Sequence, residues 1–348
     1  MGVAWLYDTV HGAMGEGALR DMLCDGVISG VGSVLVFLPN IMILYLFISF
    51  LEDSGYLARA AFIMDRVMHR MGVHGKSFIP MVMGFGCNVP AVMACRTIEC
   101  RTSRIITIMV VPFMSCSARL PIFMMIVGTF FADYAGTVLF LLYLLGIAMA
   151  VVSARLMRRF MFREQEAPFV MELAPYRVPT AKTTVRHMWS KCAQYLRKMG
   201  GLILIASIIV WMLSYYPRPK YNNDDVNAPN YELSYMGYIG KFCEPIFAPM
   251  DMEWEASVAL LSGIPAKEIV VSTMKVLCAQ PERIAGSMST PTAVAFLIFA
   301  LLYLPCIATI MAIVSELNWK WALGSALYNT GIAWVVAWLA FHITQLFV

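Results

Sequence analysis

Charge is scarce in this chain. Only 14% of its 348 residues are Asp, Glu, Lys or Arg, whereas 60% are hydrophobic. Soluble domains carry about 25% charged and about 45–50% apolar residues. So few charges cannot cover a water-facing surface of this length, and so high an apolar content excludes intrinsic disorder. The composition therefore predicts a protein of α-helices that crosses a membrane several times.

Other familiar signals are missing as well. The net charge is only +4 and no long run of Lys and Arg is present, which argues against a nucleic-acid partner. The five histidines show no metal-ligand spacing, and the nine cysteines are odd in number and scattered through apolar segments, unlike a disulfide framework. Residues 1–26 lack the basic region before an apolar run that marks a signal peptide.

A nucleotide-binding motif is also absent at the one place that suggests it. Gly75, Lys76 and Ser77 look like the end of a P-loop, but that motif requires glycine five residues before Gly75, where Arg70 stands. The sequence therefore predicts no nucleotide binding at this place.

Long apolar segments are what the chain does contain. A membrane-spanning helix needs about 20 mostly apolar residues. The segments that meet this requirement are 27–50, 105–129, 136–153, 200–215, 292–314 and 321–348. Tyr56 to Met71 is amphipathic and is expected to lie on the membrane surface.

Two further apolar segments, 78–98 and 256–277, are broken in the middle by glycine and proline. Each is followed by a spanning segment in which a proline stands near a cysteine, Pro112 with Cys116 and Pro305 with Cys306. Paired interrupted segments in corresponding halves indicate the substrate site of a transporter. We therefore predict a transporter and not an enzyme. Its expected fold is an all-α polytopic membrane protein with two inverted repeats, in which the broken segments are re-entrant hairpins. If those segments crossed the membrane completely, the basic residues of 59–76 would lie outside.

The distribution of charge predicts the two sides of the membrane. Residues 155–198 hold ten Lys and Arg against three Glu, which favours the cytoplasm, whereas 216–255 is acidic. The resulting division of the chain is an extracytoplasmic N-terminal segment 1–26, a first repeat 27–154, a basic cytoplasmic loop 155–199, and a second repeat 200–348 with an extracytoplasmic loop 216–255.

The breaks also predict where chemistry takes place, because unwound backbone offers free carbonyls at membrane depth. Thiolates suit soft and borderline divalent metals, and carboxylates and carbonyls suit harder ones. The expected metal ligands are Cys87, Asn88, Cys116, Glu268 and Cys306. The residues expected to line or gate the pathway are Gly84, Gly86, Ser115, Ser117, Gly263, Pro265, Lys267 and Thr309.

Each of these assignments has a structural alternative. A buried cysteine is often a small apolar filler, Glu268 can simply pair with a basic side chain, and the Asn88 amide can satisfy unwound backbone. Arg119, which lies in an apolar segment, needs either a counter-charge or a water-filled opening.

Several multi-residue motifs resemble the ferrous iron transport protein B (FeoB) family. They are GFGCNVPA at 84–91, LEDSGY at 51–56, PFMSCSARLP at 112–121, FVMELAPY at 169–176, PAKEIVV at 265–271 and LPCIAT at 304–309. The resemblance runs from about residue 20 to the end of the sequence. It implies import of Fe2+ across the bacterial inner membrane, a gate fold similar to that of nucleoside transporters, and an iron path lined by Cys87, Cys116 and Cys306.

Members of that family normally begin with a cytoplasmic GTP-binding domain, which nothing in this sequence matches. The resemblance therefore implies a membrane domain that lacks its GTPase, with no permanently bound cofactor and with GTP acting only through a missing or separate domain. The implied partners are the Fe2+ substrate, membrane lipid, a GTPase domain at the cytoplasmic face, a small accessory Feo-type protein and further copies of the chain. No nucleic acid is expected.

Two other functions remain compatible with the residues. The first is a carrier of another divalent metal or of a nucleoside-like solute, in which Asn88 and Glu268 would hydrogen-bond a ribose. The second is a membrane anchor or regulatory partner of a separate GTPase, which would dock on the basic loop 155–198.

Overall fold

The structure is a computed structural model that describes residues 9, 10, 12, 20, 22–161, 176, 179–216, 234–265, 267–277 and 288–346. Within these ranges the regular structure is entirely helical, which confirms the predicted all-α class. Most of the predicted segment 1–26, the middle of the basic loop 155–199 and much of the loop 216–255 lie outside the described residues.

The first half of the chain forms a long helix, an amphipathic helix, a hairpin, a broken span and a second long helix. Their bounds are α1 Ser29–Asp53, α2 Tyr56–Met71, α3 Phe78–Gly84, α4 Asn88–Ala94, α5 Arg101–Val110, α6 Leu120–Phe130 and α7 Ala135–Phe160. Between α1 and α2 the chain bends by 81°. Gly55 stands at this bend with φ of 75°, a backbone conformation that glycine adopts without strain.

The second half repeats the same order of elements. Its helices are α8 Ala181–Tyr215, α9 Tyr235–Phe247, α10 Trp254–Ser262, α11 Ile269–Leu277, α12 Thr290–Leu302, α13 Ile307–Glu316 and α14 Trp319–Gln345. The hairpin α10–α11 corresponds to α3–α4, and the broken span α12–α13 corresponds to α5–α6. All four interruptions that glycine and proline predict are present, because proline and glycine stop a helix or leave its backbone unpaired.

The ends of the long helices differ from the sequence-based boundaries. Helix α7 continues to Phe160 and α8 begins at Ala181, so both ends of the predicted basic loop 155–199 are helical. Likewise, α9 lies inside the predicted loop 216–255. A hydropathy pattern stops where Lys and Arg begin, whereas a helix continues beyond that point because long basic side chains extend their charge into water.

The ends of the first hairpin lie on the same side of the molecule. Lys76, just before α3, forms an ion pair with Glu99, just after α4, at 2.7 Å between Nζ and Oε1. The Lys76 ammonium holds the pKa of the Glu99 carboxyl below its usual range, so the pair is charged at neutral pH. The segment 78–98 therefore enters and leaves through one face, as the re-entrant prediction requires.

That face carries many of the basic side chains, and we call it the basic face, formed by Arg70, Lys76, Arg96, Arg155 and Lys191. Arg155 of α7 donates from Nε to the Arg70 carbonyl at the end of α2, at 3.1 Å. Lys191 of α8 pairs with Glu52 of α1 at 2.6 Å. Contacts of this kind bring the ends of α1, α2, α7 and α8 together.

Broken spans lie inside the molecule and unbroken helices lie outside. In α12, Phe296 and Leu301 are completely buried, whereas Phe140 of α7 and Leu327 of α14 are 66% and 67% exposed. Interrupted backbone needs protein or water to satisfy its polar groups, which lipid cannot do. Among the residues that the structure describes, four stretches are long and apolar enough to cross a membrane: 101–130, 132–160, 290–316 and 319–345. The bent pair α1–α2 adds a fifth if it is counted as one span.

The two halves interlock through equivalent contacts. Helix α4 of the first hairpin packs against α13, and α11 of the second hairpin packs against α6. The long helices α1 and α8, which open the two halves, pack side by side. This arrangement brings the four breaks to the middle of the molecule.

Candidate functional site

The two breaks of the first half are joined directly. The Gly86 carbonyl, in the turn between α3 and α4, accepts a hydrogen bond from the Ser117 backbone N–H at 3.2 Å. The Ser117 hydroxyl donates to the same carbonyl at 3.0 Å. These bonds place Cys87 and Cys116, which adjoin Gly86 and Ser117, beside one another.

The second half repeats this link. The Ile307 N–H donates to the Ile264 carbonyl at 2.9 Å, which joins the break of the broken span to the turn of the hairpin. Cys306 precedes Ile307 as Cys116 precedes Ser117, so the two cysteines occupy equivalent positions. The Thr309 hydroxyl lies 3.2 Å from the Cys306 sulfur, which places that predicted pathway residue at the thiol.

The three predicted cysteines face a common region. Cys87 is within electrostatic range of Cys116, Cys306 and Glu268. All three residues are partly exposed, whereas Cys95 is completely buried. Cys87 and Cys306 also pack against buried apolar side chains, as the alternative of a packing filler predicts.

Two buried basic side chains donate hydrogen bonds to the unwound backbone around this region. Arg119, which is 1% exposed, donates from Nη1 to the carbonyls of Pro112 and Met114 at 3.0 and 3.3 Å. Lys267, which is 2% exposed, donates to the Leu304 carbonyl at 2.7 Å and lies 3.1 Å above the centre of the Tyr303 ring. Backbone carbonyls thus accept the hydrogen bonds of Arg119, for which the sequence had predicted either a counter-charge or a water-filled opening.

Unpaired oxygens stand next to these carbonyls. Within the described part of the chain, Asn88 Oδ1 and Ser115 Oγ are buried and have no hydrogen-bond partner. Gly84 allows the first hairpin to lie close to the break that contains Met114. A Cβ at Gly84 would lie 2.9 Å from Met114 Cβ and 3.4 Å from Asn88 Oδ1. Buried polar atoms without a partner are costly. The Asn88 oxygen is therefore available to a ligand and is not used by the backbone of its own turn.

Glu268 lies at the turn of the second hairpin, beside Lys267. The expected alternative, an ion pair with a basic side chain, is not formed with any residue that the structure describes. Pro265 and Gly263 are buried in the same turn, and a Cβ at Gly263 would lie 2.6 Å from the Tyr303 hydroxyl.

In this conformation the predicted ligands do not form a closed coordination shell. Among the described residues, no three His, Cys, Asp or Glu side chains converge closely enough to hold a metal ion. The structure therefore brings four predicted ligands to one region, but not close enough together to coordinate one ion. These ligands are Cys87, Cys116, Cys306 and Glu268.

Tyr303 and Arg119 belong to this region although they were absent from the predicted site. Tyr303 donates its hydroxyl to the Leu260 carbonyl at 3.3 Å and supports Lys267 with its ring. Their distance from the cysteines in the sequence could have identified them. Tyr303 stands three residues before Cys306, and Arg119 stands three residues after Cys116.

Interlocked halves, re-entrant hairpins and broken spans with thiols at their breaks define the class of polytopic membrane proteins with a gate fold. A family model described as "Nucleoside recognition" (Gate) matches residues 34–130 and 196–320. A second model, described as "Ferrous iron transport protein B C terminus", matches residues 139–191 between them. The chain belongs to the FeoB family and corresponds to the membrane part of its members.

Similar curated proteins agree with this assignment. A "Fe(2+) transport protein A/Fe(2+) transporter FeoB fusion protein" of Porphyromonas gingivalis is 48% identical over 99% of this chain and 47% of its own length. The "Fe(2+) transporter FeoB" of Methanocaldococcus jannaschii is 43% identical over 96% of the chain and 51% of its own length. That of Campylobacter jejuni is 41% identical over 94% and 56%.

The chain spans about half the length of the curated relatives it matches. No solved structure matches it.

Proposed function

We propose that this chain is the permease core of an importer of ferrous iron in the inner membrane of a bacterium. The names of the similar proteins support Fe2+ as the substrate. The observation that carries the proposal is the position of three partly exposed thiols, Cys87, Cys116 and Cys306, at three breaks that lie together inside the protein.

The chemistry of the region suits a borderline divalent cation. Thiolates supply soft ligands, and the Glu268 carboxylate and the carbonyls at the breaks supply harder ones. The buried guanidinium of Arg119 raises the electrostatic cost of a further positive ion unless anionic ligands balance it. A neutral ligand set would therefore be insufficient here, and thiolates with a carboxylate would meet the requirement.

Since the thiols are near one another but not joined, ion binding requires the hairpins and broken spans to move closer. A ligand shifts a conformational equilibrium toward the state that it binds better. We infer that Fe2+ stabilises a state in which Cys87 of one half and Cys306 of the other approach the same ion. Such coupling between the halves is the basis of alternating access in inverted-repeat transporters.

Orientation follows from the basic face, which the positive-inside rule places in the cytoplasm. A GTPase domain, fused or separate, would act at this face, and GTP would enter the mechanism only through it. A small accessory Feo-type protein is a further partner, and the name of the Porphyromonas gingivalis relative, which joins two Fe(2+) transport proteins in one chain, supports it. Association of several copies of the chain is also proposed.

The test replaces Cys87, Cys116 and Cys306 by serine, singly and together, and measures metal binding and Fe2+ uptake. Binding of Co2+ to the purified chain is followed by the sulfur-to-metal charge-transfer absorbance, which serine cannot produce. We expect the triple variant to lose this absorbance and to lower Fe2+ uptake in cells at least tenfold.

Cys95→Ser is the matched control, because Cys95 is completely buried and donates to the Ala91 carbonyl at 3.4 Å. It should retain both the absorbance and the uptake. Unchanged binding and uptake in the triple variant would refute a thiolate path for iron.

A nucleoside-like solute is the second candidate, because the matching family model is described as "Nucleoside recognition". The unpaired Asn88 Oδ1 would accept a hydrogen bond from a ribose hydroxyl. Thermal unfolding of the purified chain with Fe2+, Mn2+ or Zn2+ and with a panel of nucleosides separates the two. Stabilisation by nucleosides alone would favour the second candidate.

A further inference from the structure

A cavity that the candidate ion site does not use opens beside the first hairpin. It has a volume of about 410 Å3 and lies among α1, α2, the α3–α4 hairpin and α8. At about 30 Å3 per molecule, such a volume holds roughly a dozen waters. Its walls are mainly apolar, and its charged residues are Glu52, Lys76, Arg96 and Lys191, at the basic face.

The deep end of this cavity reaches the candidate ion site. Met83, Tyr45 and Pro90 line it there. The Met83 carbonyl accepts the Cys87 N–H at 3.0 Å, and Tyr45 is within electrostatic range of the same cysteine. Residues that line the cavity are therefore direct neighbours of Cys87.

Leu44 is part of that layer. A Cβ at Gly86 would lie 2.5 Å from Leu44 Cδ1, so the leucine packs directly on the glycine that precedes Cys87. Glycine at this position lets α1 close over the turn of the hairpin. This contact is apolar, so a displacement of α1 would separate Leu44 from the turn without breaking a hydrogen bond between them.

Ion pairs hold the mouth of the cavity. Lys76 pairs with Glu99, Lys191 pairs with Glu52 of α1, and Arg96 pairs with Glu316 at the end of α13. The second and third pairs join one half of the molecule to the other. Each base has a carboxylate partner, so the mouth presents no unpaired positive charge to an anion.

We propose that this cavity is the vestibule through which the transported cation passes between Cys87 and the basic face, and that the ion pairs Glu52–Lys191 and Arg96–Glu316 keep it closed. The proposal rests on the proposed function. Movement of the halves apart would separate both pairs and release the carboxylates of Glu52 and Glu316 toward the leaving cation. The thioethers of Met83 and Met93 supply soft contacts along the wall.

The test measures how fast a membrane-impermeant cationic thiol reagent modifies Cys87 from the basic face, in inside-out vesicles without iron, with each cysteine read separately by peptide mass spectrometry. Ala94→Trp fills the cavity from α4 and should slow Cys87 modification at least tenfold. Leu144→Trp, on the exposed outer side of α7, is the control and should leave the rate unchanged. Ile79→Trp fills the same cavity from α3 and should act like Ala94→Trp.

A second experiment removes the ion pair Glu52–Lys191, which is proposed to keep the vestibule closed. Lys191→Met should raise the rate of Cys87 modification several-fold, because Glu52 loses its partner. The exchange of both charges, Glu52→Lys with Lys191→Glu, should return the rate to within twofold of the original.

The proposal is overturned if folded Ala94→Trp and Ile79→Trp both leave the modification rate unchanged, or if Lys191→Met does not alter it. A lipid that copurifies with the chain and is lost in Ala94→Trp, with no effect on modification, would instead assign the cavity to lipid. Since no iron is present, these results are independent of the serine variants that test iron transport.

Discussion

Arg119 and Lys267 perform the same task in the two halves, although Arg119 stands in a broken span and Lys267 in the turn of a hairpin. Each is a buried basic side chain whose partners are carbonyls of an unwound segment, Pro112 and Met114 in one case and Leu304 in the other. A buried carbonyl that loses its donor is costly. Each residue therefore fixes the backbone that presents a neighbouring cysteine.

Replacement of Arg119 by Met tests this role. The carbonyls of Pro112 and Met114 would lose their donor, at a cost of about 1–3 kcal/mol for each buried group left unpaired. We expect a lower thermal midpoint for the purified chain and a weaker Co2+ charge-transfer signal. Arg159→Met, at the exposed end of α7, should leave both unchanged. Equal effects of the two variants would contradict the assignment.

Gly84 offers a second test at the scale of one residue. A methyl group there would lie 2.9 Å from Met114 Cβ and would push the first hairpin away from the break of α5–α6. Gly84→Ala should therefore lower Fe2+ uptake at least tenfold.

Gly128→Ala is the matched control, because Gly128 lies in α6 with nothing within 4 Å of its Cβ position. That variant should retain uptake and gain about 0.5–1 kcal/mol from its higher helix propensity. Uptake that is retained in Gly84→Ala would show that the close approach is dispensable.

At the scale of elements, one backbone hydrogen bond joins each hairpin to the broken span of its own half. Ile307 is the first residue of α13, and Cys306 before it is extended, so proline fits position 307 without distortion. Ile307→Pro removes only the N–H that reaches the Ile264 carbonyl. The variant should fold, but its thermal midpoint should fall and Fe2+ uptake should decrease.

Ala181→Pro provides the comparison, since Ala181 is the exposed first residue of α8 and follows an extended Thr180. Proline there removes no described hydrogen bond, so stability and uptake should be retained. If the two proline variants behaved alike, the link between α13 and the second hairpin would have no special part in the gate.

At the scale of the whole molecule, the basic face and the opposite end of the molecule predict which residues a reagent can reach from each side of the membrane. Asp133, between α6 and α7, is exposed at the end opposite Arg159. We expect Asp133→Cys in intact cells to react with an impermeant maleimide, and Arg159→Cys to react only in inside-out vesicles. The reverse pattern would invert the proposed orientation of the transporter.

The sequence alone determined the class, the four interruptions and the three cysteines that stand at them. These features are local. Long apolar segments are stable only in a lipid environment, and glycine and proline interrupt helices where they occur. Helices α7 and α8 extend beyond the predicted spans where Lys and Arg begin, because a hydropathy pattern registers charge and not the continuing backbone hydrogen bonds.

Only the tertiary structure decided which groups meet. Arg96 and Glu316 lie 220 residues apart in the sequence, and Ile264 and Ile307 belong to different elements, so no local pattern pairs them. Nor does the sequence show that Arg119 and Lys267 bind carbonyls, because an unwound backbone acquires its partners only when the two halves interlock. Long-range packing of those halves created the thiol region, the vestibule and its ion pairs.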